Sequence, residues 1–211
     1  GDGTSGSQSD KNVPVQVGEL SGIEAVDGGA DDTLALKWDG TVWACGWNST
    51  GQLGDGTTID RTTPVQALIS SVASISGGYG HTVAAKSNSA VWIWGSAYEI
   101  VPAPAEVCIE RDENNECKEY LSGVIEVSTF VDNNIALRSD GTVWEWLGDG
   151  RQIISDVKNI SAGDQHGMVI KSDGTFWTWG ANTYGQLGDG TTISKLTPVQ
   201  VIGLMNVNAI A

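Results

Sequence analysis

A hairpin-sized pattern recurs four times along this chain, and such a recurrence restricts the fold to a stack or ring of equivalent units. The copies are TLALKWDGTVWACG (33–46), TVAAKSNSAVWIWG (82–95), NIALRSDGTVWEWL (134–147) and GMVIKSDGTFWTWG (167–180). Each joins two alternating runs through a short polar turn, the pattern of a β-hairpin with one buried face. Asp39-Gly40, Asp140-Gly141 and Asp173-Gly174 supply the turn, because glycine tolerates the positive φ required there. The second copy has a weaker turn former, Asn88-Ser89. Another short strand precedes every hairpin: IEAVDGG from Ile23, VASISGG from Val72, VIEVSTF from Val124 and VKNISAG from Val157. A fifth copy, VNAIA, starts at Val207. The small and β-branched residues of these strands suit a crowded central axis. Downstream, GWNSTGQLGDGTTIDRTTPVQAL from Gly46 matches GANTYGQLGDGTTISKLTPVQVI from Gly180. Each reads as a glycine-rich loop and then a strand opened by Pro64 or Pro198, which suits an outer edge.

Three inner strands and one outer strand make a blade. The expected fold class is therefore all-β, a β-propeller with four-stranded blades and helix below about a tenth. Strands are expected near 23–27, 33–38, 41–46, 72–76, 82–86, 90–95, 124–128, 134–138, 142–146, 157–161, 167–171 and 175–179. The repeats divide the chain at 23–71, 72–123, 124–156 and 157–206. The third is short, since LGDGRQIISD from Leu147 runs almost directly into the next inner strand, and its blade is expected to lack an outer strand. Residues 1–22 read as the back half of an incomplete repeat, and 207–211 as the first strand of a further one. Both ends should then be flanked by further propeller repeats or by a neighbouring subunit.

The run A-G-x-x-H-x-x-x-x-K-S-D-G-T-x-W-x-W-G-x-N-x-x-G-Q-L-G-D-G-T-T, best kept from Ala162 to Thr192, resembles the regulator of chromosome condensation (RCC-type) repeat. The likeness covers the chain apart from an insertion around 97–122. It implies a bacterial-type member with about four repeats of an expected seven, and a surface on which the loops of one rim engage protein partners. Aligning the repeats puts Asp31, Asp32, Tyr79, His81, Asp132, Asn133, Asp164, Gln165 and His166 on that rim. A formal charge of −15 argues against nucleic acid as a partner and for a basic patch on a protein one. The same acidity, with no basic arm, argues against nucleotide exchange on a small nuclear GTPase. A structural or recognition role in a secreted or cell-surface protein fits best. The alternatives are a secreted inhibitor of the β-lactamase-inhibitor propeller type and a carbohydrate-active propeller enzyme.

Other candidate groups have plainer readings. Trp43, Trp92, Trp144 and Trp177 share one repeat position, and Trp94, Trp146 and Trp179 another two residues on; both sets are expected in the core. Trp38 and Trp47 occur once each, so surface contact is as good a reading for them as packing. Cys45 fills a tryptophan slot and should be a buried free thiol. Cys108 and Cys117 flank IERDENNE at a spacing that suits a disulfide, which would place the protein in an oxidising, extracellular or cell-surface setting. His81 and His166 share a position better explained by loop capping than by catalysis, since no nucleophile recurs beside them. No catalytic residue, metal site or cofactor is expected. Gly54-Asp55-Gly56 and Gly188-Asp189-Gly190 read as turns, with weak calcium binding a remote option. No apolar run is long enough to span a membrane.

Overall fold

The computed structural model describes residues 2–3, 11, 13–18, 20–96, 100–131, 133–146 and 150–210. The chain forms two compact units, residues 1–87 with 92–106 and residues 88–91 with 107–211. The first unit holds two antiparallel four-stranded sheets whose strands follow sequence order. One is β1 (Ile23–Gly28), β2 (Asp32–Lys37), β3 (Val42–Gly46) and β4 (Arg61–Gln66); the other is β5 (Val72–Gly77), β6 (His81–Lys86), β7 (Val91–Ser96) and β8 (Ile100–Glu106). The second unit opens with a hairpin of β9 (Cys108–Arg111) and β10 (Cys117–Tyr120). Its two four-stranded sheets are β11 (Val124–Phe130), β12 (Asn133–Arg138), β13 (Val143–Trp146), β14 (Gly150–Ile154), and β15 (Val157–Ala162), β16 (His166–Lys171), β17 (Phe176–Gly180), β18 (Lys195–Gln200). No helix occurs among the described residues.

The turns explain why the hairpins close where they do. Gly40, Gly141 and Gly174 have φ of 76°, 80° and 81°, and Ser89 adopts 68° in the second copy. In each Asp-Gly turn the aspartate carboxylate accepts both the amide and the hydroxyl of the threonine two residues on, at 2.6–3.0 Å. Those bonds hold Asp39, Asp140 and Asp173 below the ordinary carboxylate range. Asn88 reproduces only the amide bond, to Ala90, at 3.2 Å.

Entry into each blade is equally regular. The residue before every inner strand has positive φ: Gly22 70°, Ser71 59°, Gly123 75°, Asp156 63°. The next valine then donates its N–H to a hairpin-turn carbonyl, Val72 to Gly40 at 3.0 Å and Val157 to Gly141 at 3.0 Å. Asn206, at 58°, and Val207, bonded to the Gly174 carbonyl at 3.2 Å, repeat this entry. Val207–Ile210 nevertheless belong to no strand, because no described hairpin lies beside them to complete a ladder.

Each unit has its own core. Leu34, Leu36, Val42, Leu53, Val72 and Trp94 pack together in the first, and Ile135, Leu137, Val143, Val157, Val169 and Trp179 in the second. Burial of each such side chain is worth roughly 1.5–3 kcal/mol.

Three expectations need correcting. The third blade does have an outer strand: β14 pairs with β13 from Trp146↔Gly150 to Val143↔Ile154, since five residues suffice once the long loop is dispensed with. The insertion is smaller than 97–122, because Ile100–Glu106 is the outer strand of the second blade despite its two prolines, which an edge tolerates. The tryptophans, finally, differ in depth. Trp94, Trp146 and Trp179 are buried, but Trp43, Trp92, Trp144 and Trp177 lie beside the turn and are half-exposed. A cation covers each of the latter, with Lys37, Lys86, Arg138 and Lys171 at 5.7, 5.3, 5.9 and 5.1 Å from the ring centroids.

Candidate functional site

The rim loops join the first and second strands of each blade. The residue that opens the second strand tucks beneath a glycine. A Cβ on Gly29 would stand 2.3 Å from Asp32 Oδ1, on Gly78 2.4 Å from His81 Cε1, and on Gly163 2.2 Å from His166 Cε1. Only glycine allows so close an approach. As a result Asp32 (7% exposed) and His81 (2%) face inward, whereas Asp31 and Tyr79 (60%) face solvent.

In the first unit the Asp27 carboxylate fastens two rim loops, accepting the N–H groups of Gly28 and Gly77 at 2.9 Å each. The Ala30 amide adds a bond to the Gly78 carbonyl at 3.3 Å. Asp32 Oδ2 is buried with no hydrogen-bond partner. Burial, followed by the charges of Asp27 and Asp31, pushes the Asp32 carboxyl up to about 7. Trp47 belongs to the same corner: its N–H donates to the Asp31 carbonyl at 2.9 Å, and its Cζ3 lies 3.9 Å from where Gly80 would carry a Cβ. The alignment of rim positions left Trp47 out, although its occurring only once was the signal available.

The third blade's rim is built differently. Phe130 replaces the glycine, and Asn133 sends its side chain to Glu145 Oε1 at 2.8 Å. The Val131 amide reaches the Asp164 carbonyl at 2.9 Å, bringing these loops together. Asp164 and Gln165 are exposed, and Gln165 Nε2 donates to Asp164 Oδ2 at 3.3 Å. His166 is half-buried; burial lowers its pKa, with Asp164 opposing. Asp132 lies outside the described residues.

The glycine-rich loops support the rims. Buried Asn48 organises the first, donating to Asp55, Thr57 and Ile59 and accepting from the Leu53 amide at 2.9 Å. Asn182 repeats the set with Asp189, Thr191, Ile193 and Leu187. In the first unit this loop docks on the following blade: the Gln52 carbonyl accepts Trp94 Nε1 and Thr82 Oγ1, both at 2.8 Å. The Gly56 amide bonds the Pro102 carbonyl at 3.0 Å, and Gly3 makes the equivalent bond to Thr62, at 2.9 Å.

Cys108 and Cys117 are disulfide-bonded with Cα atoms 5.8 Å apart, and Cys45 is a buried free thiol. Their hairpin leans on β14, where a Cβ on Gly150 would stand 2.6 Å from Ile109. Among the described residues no group of three or more His, Cys, Asp or Glu is placed to hold a metal ion.

Four-stranded antiparallel sheets with varied rim loops define a repeat propeller. Two family models for the regulator of chromosome condensation (RCC1) repeat match the chain, one over residues 39–85 and 173–211, the other over 157–186. The chain belongs to this RCC1-type repeat family. It is 35% identical over 95 residues to the ultraviolet-B receptor UVR8 of Arabidopsis thaliana, a match covering 43% of this chain and 22% of the receptor. It is 32% identical over 149 residues to protein pim1 of Schizosaccharomyces pombe, covering 60% of this chain and 27% of pim1. The fold matches yeast RCC1 (Prp20), solved with Kap60 bound, with a TM-score of 0.69 at 22% identity over 84% of this chain and 48% of that one. The chain thus spans about a quarter of the curated relatives' length and about half of the solved structure's.

Proposed function

We propose that the chain is a non-catalytic protein-recognition module whose rim loops hold a partner carrying a basic patch. The observation that carries this reading is the contrast along each repeat. Strands, turns and entry bonds recur from blade to blade, while the exposed rim residues Asp31, Tyr79, Asp164 and Gln165 differ. Varying the loops on a constant scaffold is how repeat proteins acquire specificity. That Prp20 was solved with Kap60 bound is consistent with this use of the fold. The disulfide favours a secreted or cell-surface setting. The loop-type bond from Gly3 to Thr62 and the strand-entry bond at Val207 favour further propeller, or a neighbouring subunit, at both ends.

The test is capture of a partner by the chain and by a variant with Tyr79, Asp132, Asp164 and Gln165 all changed to Ala. The variant should lose the partner while its thermal midpoint stays nearly unchanged. A lowered midpoint, or an undiminished partner, would show that the rim is scaffold. Thiol counting on the denatured, unreduced native protein should find one reactive group; three would remove the case for an oxidising compartment.

A further inference from the structure

Two aromatic residues that no other repeat carries at their positions belong to one rim corner of the first unit. Trp47 stands where the other copies have Ser96, Gly148 and Ala181; Tyr79 stands where they have Ala30, Val131 and Asp164. Gly80 links them: it follows Tyr79 in sequence, and Trp47 Cζ3 lies 3.9 Å from where a Cβ on Gly80 would stand. The Trp47 main-chain amide is bonded to the Asp31 carbonyl at 2.9 Å, so Asp31, whose side chain is exposed, belongs to the same corner. Asp27, on β1, is committed to the Gly28 and Gly77 amides, and Asp32 is buried behind with Oδ2 unpartnered. No ion pair among the described residues includes Asp27, Asp31 or Asp32. Asp31, with Asp27 and Asp32 behind it, makes this a negative, partly apolar corner in which no described lysine or arginine pairs with a carboxylate.

We propose that the corner formed by Asp31, Asp32, Trp47 and Tyr79 receives an arginine side chain of the protein partner. This rests on the reading of the rim as the recognition surface, and names what that surface takes. A guanidinium can lie flat on an aromatic ring while its N–H groups fork toward a carboxylate. An ammonium has the charge but not the plane, so lysine is the poorer fit. Asp31 supplies the accessible oxygens. Asp32, one residue on and buried with its carboxyl raised to about 7, adds its charge as a bound guanidinium favours release of its proton to solvent.

Octa-arginine is the probe, titrated calorimetrically into the full chain at about 0.15 M salt, where long-range attraction is largely screened. Arginine should bind more tightly than octa-lysine, and Trp47→Ala, which leaves the charge unchanged, should weaken it on the order of fivefold. Tyr79→Ala gives a second, solvent-exposed readout should Trp47→Ala lower the thermal midpoint. Asp31→Asn with Asp32→Asn should weaken binding well beyond Asp140→Asn with Asp173→Asn, which removes at least as much charge from the hairpin turns. Equal weakening by the two pairs, or arginine binding untouched by both aromatic variants, would mean general attraction to an acidic protein and would overturn the proposal. The rim reading is tested separately, by loss of the partner from the four-alanine variant.

Discussion

Each unit buries a carboxylate where two blades meet, and the two are treated in opposite ways. In the second unit Glu145 is surrounded by donors: Asn133 Nδ2 at 2.8 Å, Trp179 Nε1 at 3.1 Å, and Arg151, whose Nη2 stands at 2.6 Å. In the first unit Asp32 Oδ2 has none. The difference follows from the loops. The first blade's glycine-rich loop offers the Gln52 carbonyl to the next blade's indole, Trp94. The third blade has no such loop, so a side chain must take over, and Glu145 receives Trp179. One buried glutamate with its arginine thus replaces a loop of a dozen or so residues. Asp32 takes no part in seating an indole and sits instead behind the exposed rim residue Asp31.

Breaking the Glu145 hub should have the largest effect. Glu145→Ala leaves Trp179 Nε1 and the Asn133 amide without their acceptor, a loss of about 2–6 kcal/mol for the two donors together, while Arg151, with 58% of its side chain exposed, regains water and adds little. Glu145→Gln retains an acceptor for the indole and should cost less. Denaturant unfolding of the full chain measures both. If Glu145→Ala costs under about 1 kcal/mol, the hub is not what joins these blades.

Removing the other carboxylate should have the opposite sign. The Asp32 carboxyl is raised from an ordinary 3.8 to about 7, chiefly by burial. Between those values the folded chain holds a proton that the unfolded chain has released, so stability falls as pH rises through the window and is level above it. Asp32→Asn keeps the shape without the charge. Its advantage should be small near pH 4, grow toward pH 7 to roughly 2–4 kcal/mol, and then plateau. Asp39, Asp55, Asp140, Asp173 and Asp189 have lowered pKa values and lose their contribution as pH falls, but both proteins share them and they cancel in the difference. A difference independent of pH would show that Asp32 does not titrate in this window.

How much of this the sequence revealed depended on whether a feature recurs. Hairpins, turns, inner strands and the pairing of Cys108 with Cys117 were legible, because period-two alternation, Asp-Gly turns and cysteine spacing are local. The outer strands β8 and β14 were not: one carries Pro102 and Pro104, and the other follows a truncated loop, so neither keeps the Thr-Pro-Val-Gln signature. The cations over Trp43, Trp92, Trp144 and Trp177 recur six residues upstream in every copy, a periodic signal that was present but unread. Glu145 gave no such signal. Its repeat mates are Ala44, Ile93 and Thr178, and nothing local shows that a neighbouring blade's indole will need an acceptor there.

The smallest effect isolates docking from everything else about the loop. Gly54 and Gly188 occupy the same place in the two long loops, with φ of 71° and 65° and the same asparagine-centred bonds around them. Alanine at either site incurs the same strain, of order 1 kcal/mol, from a left-handed backbone. Their surroundings differ. A Cβ on Gly54 would stand 2.7 Å from Nε1 of Trp94, which is fully buried and has no room to retreat; on Gly188 it would meet only Val201, at 3.4 Å. Gly54→Ala should therefore destabilise by roughly 1–3 kcal/mol more than Gly188→Ala, the usual range for overpacking. It should also speed hydrogen exchange at the Trp94 indole, whose bond to the Gln52 carbonyl the clash would lengthen. Equal losses from the two substitutions, with the Trp94 indole still protected, would mean that the loop merely lies near the next blade and that Gln52 does not hold the junction.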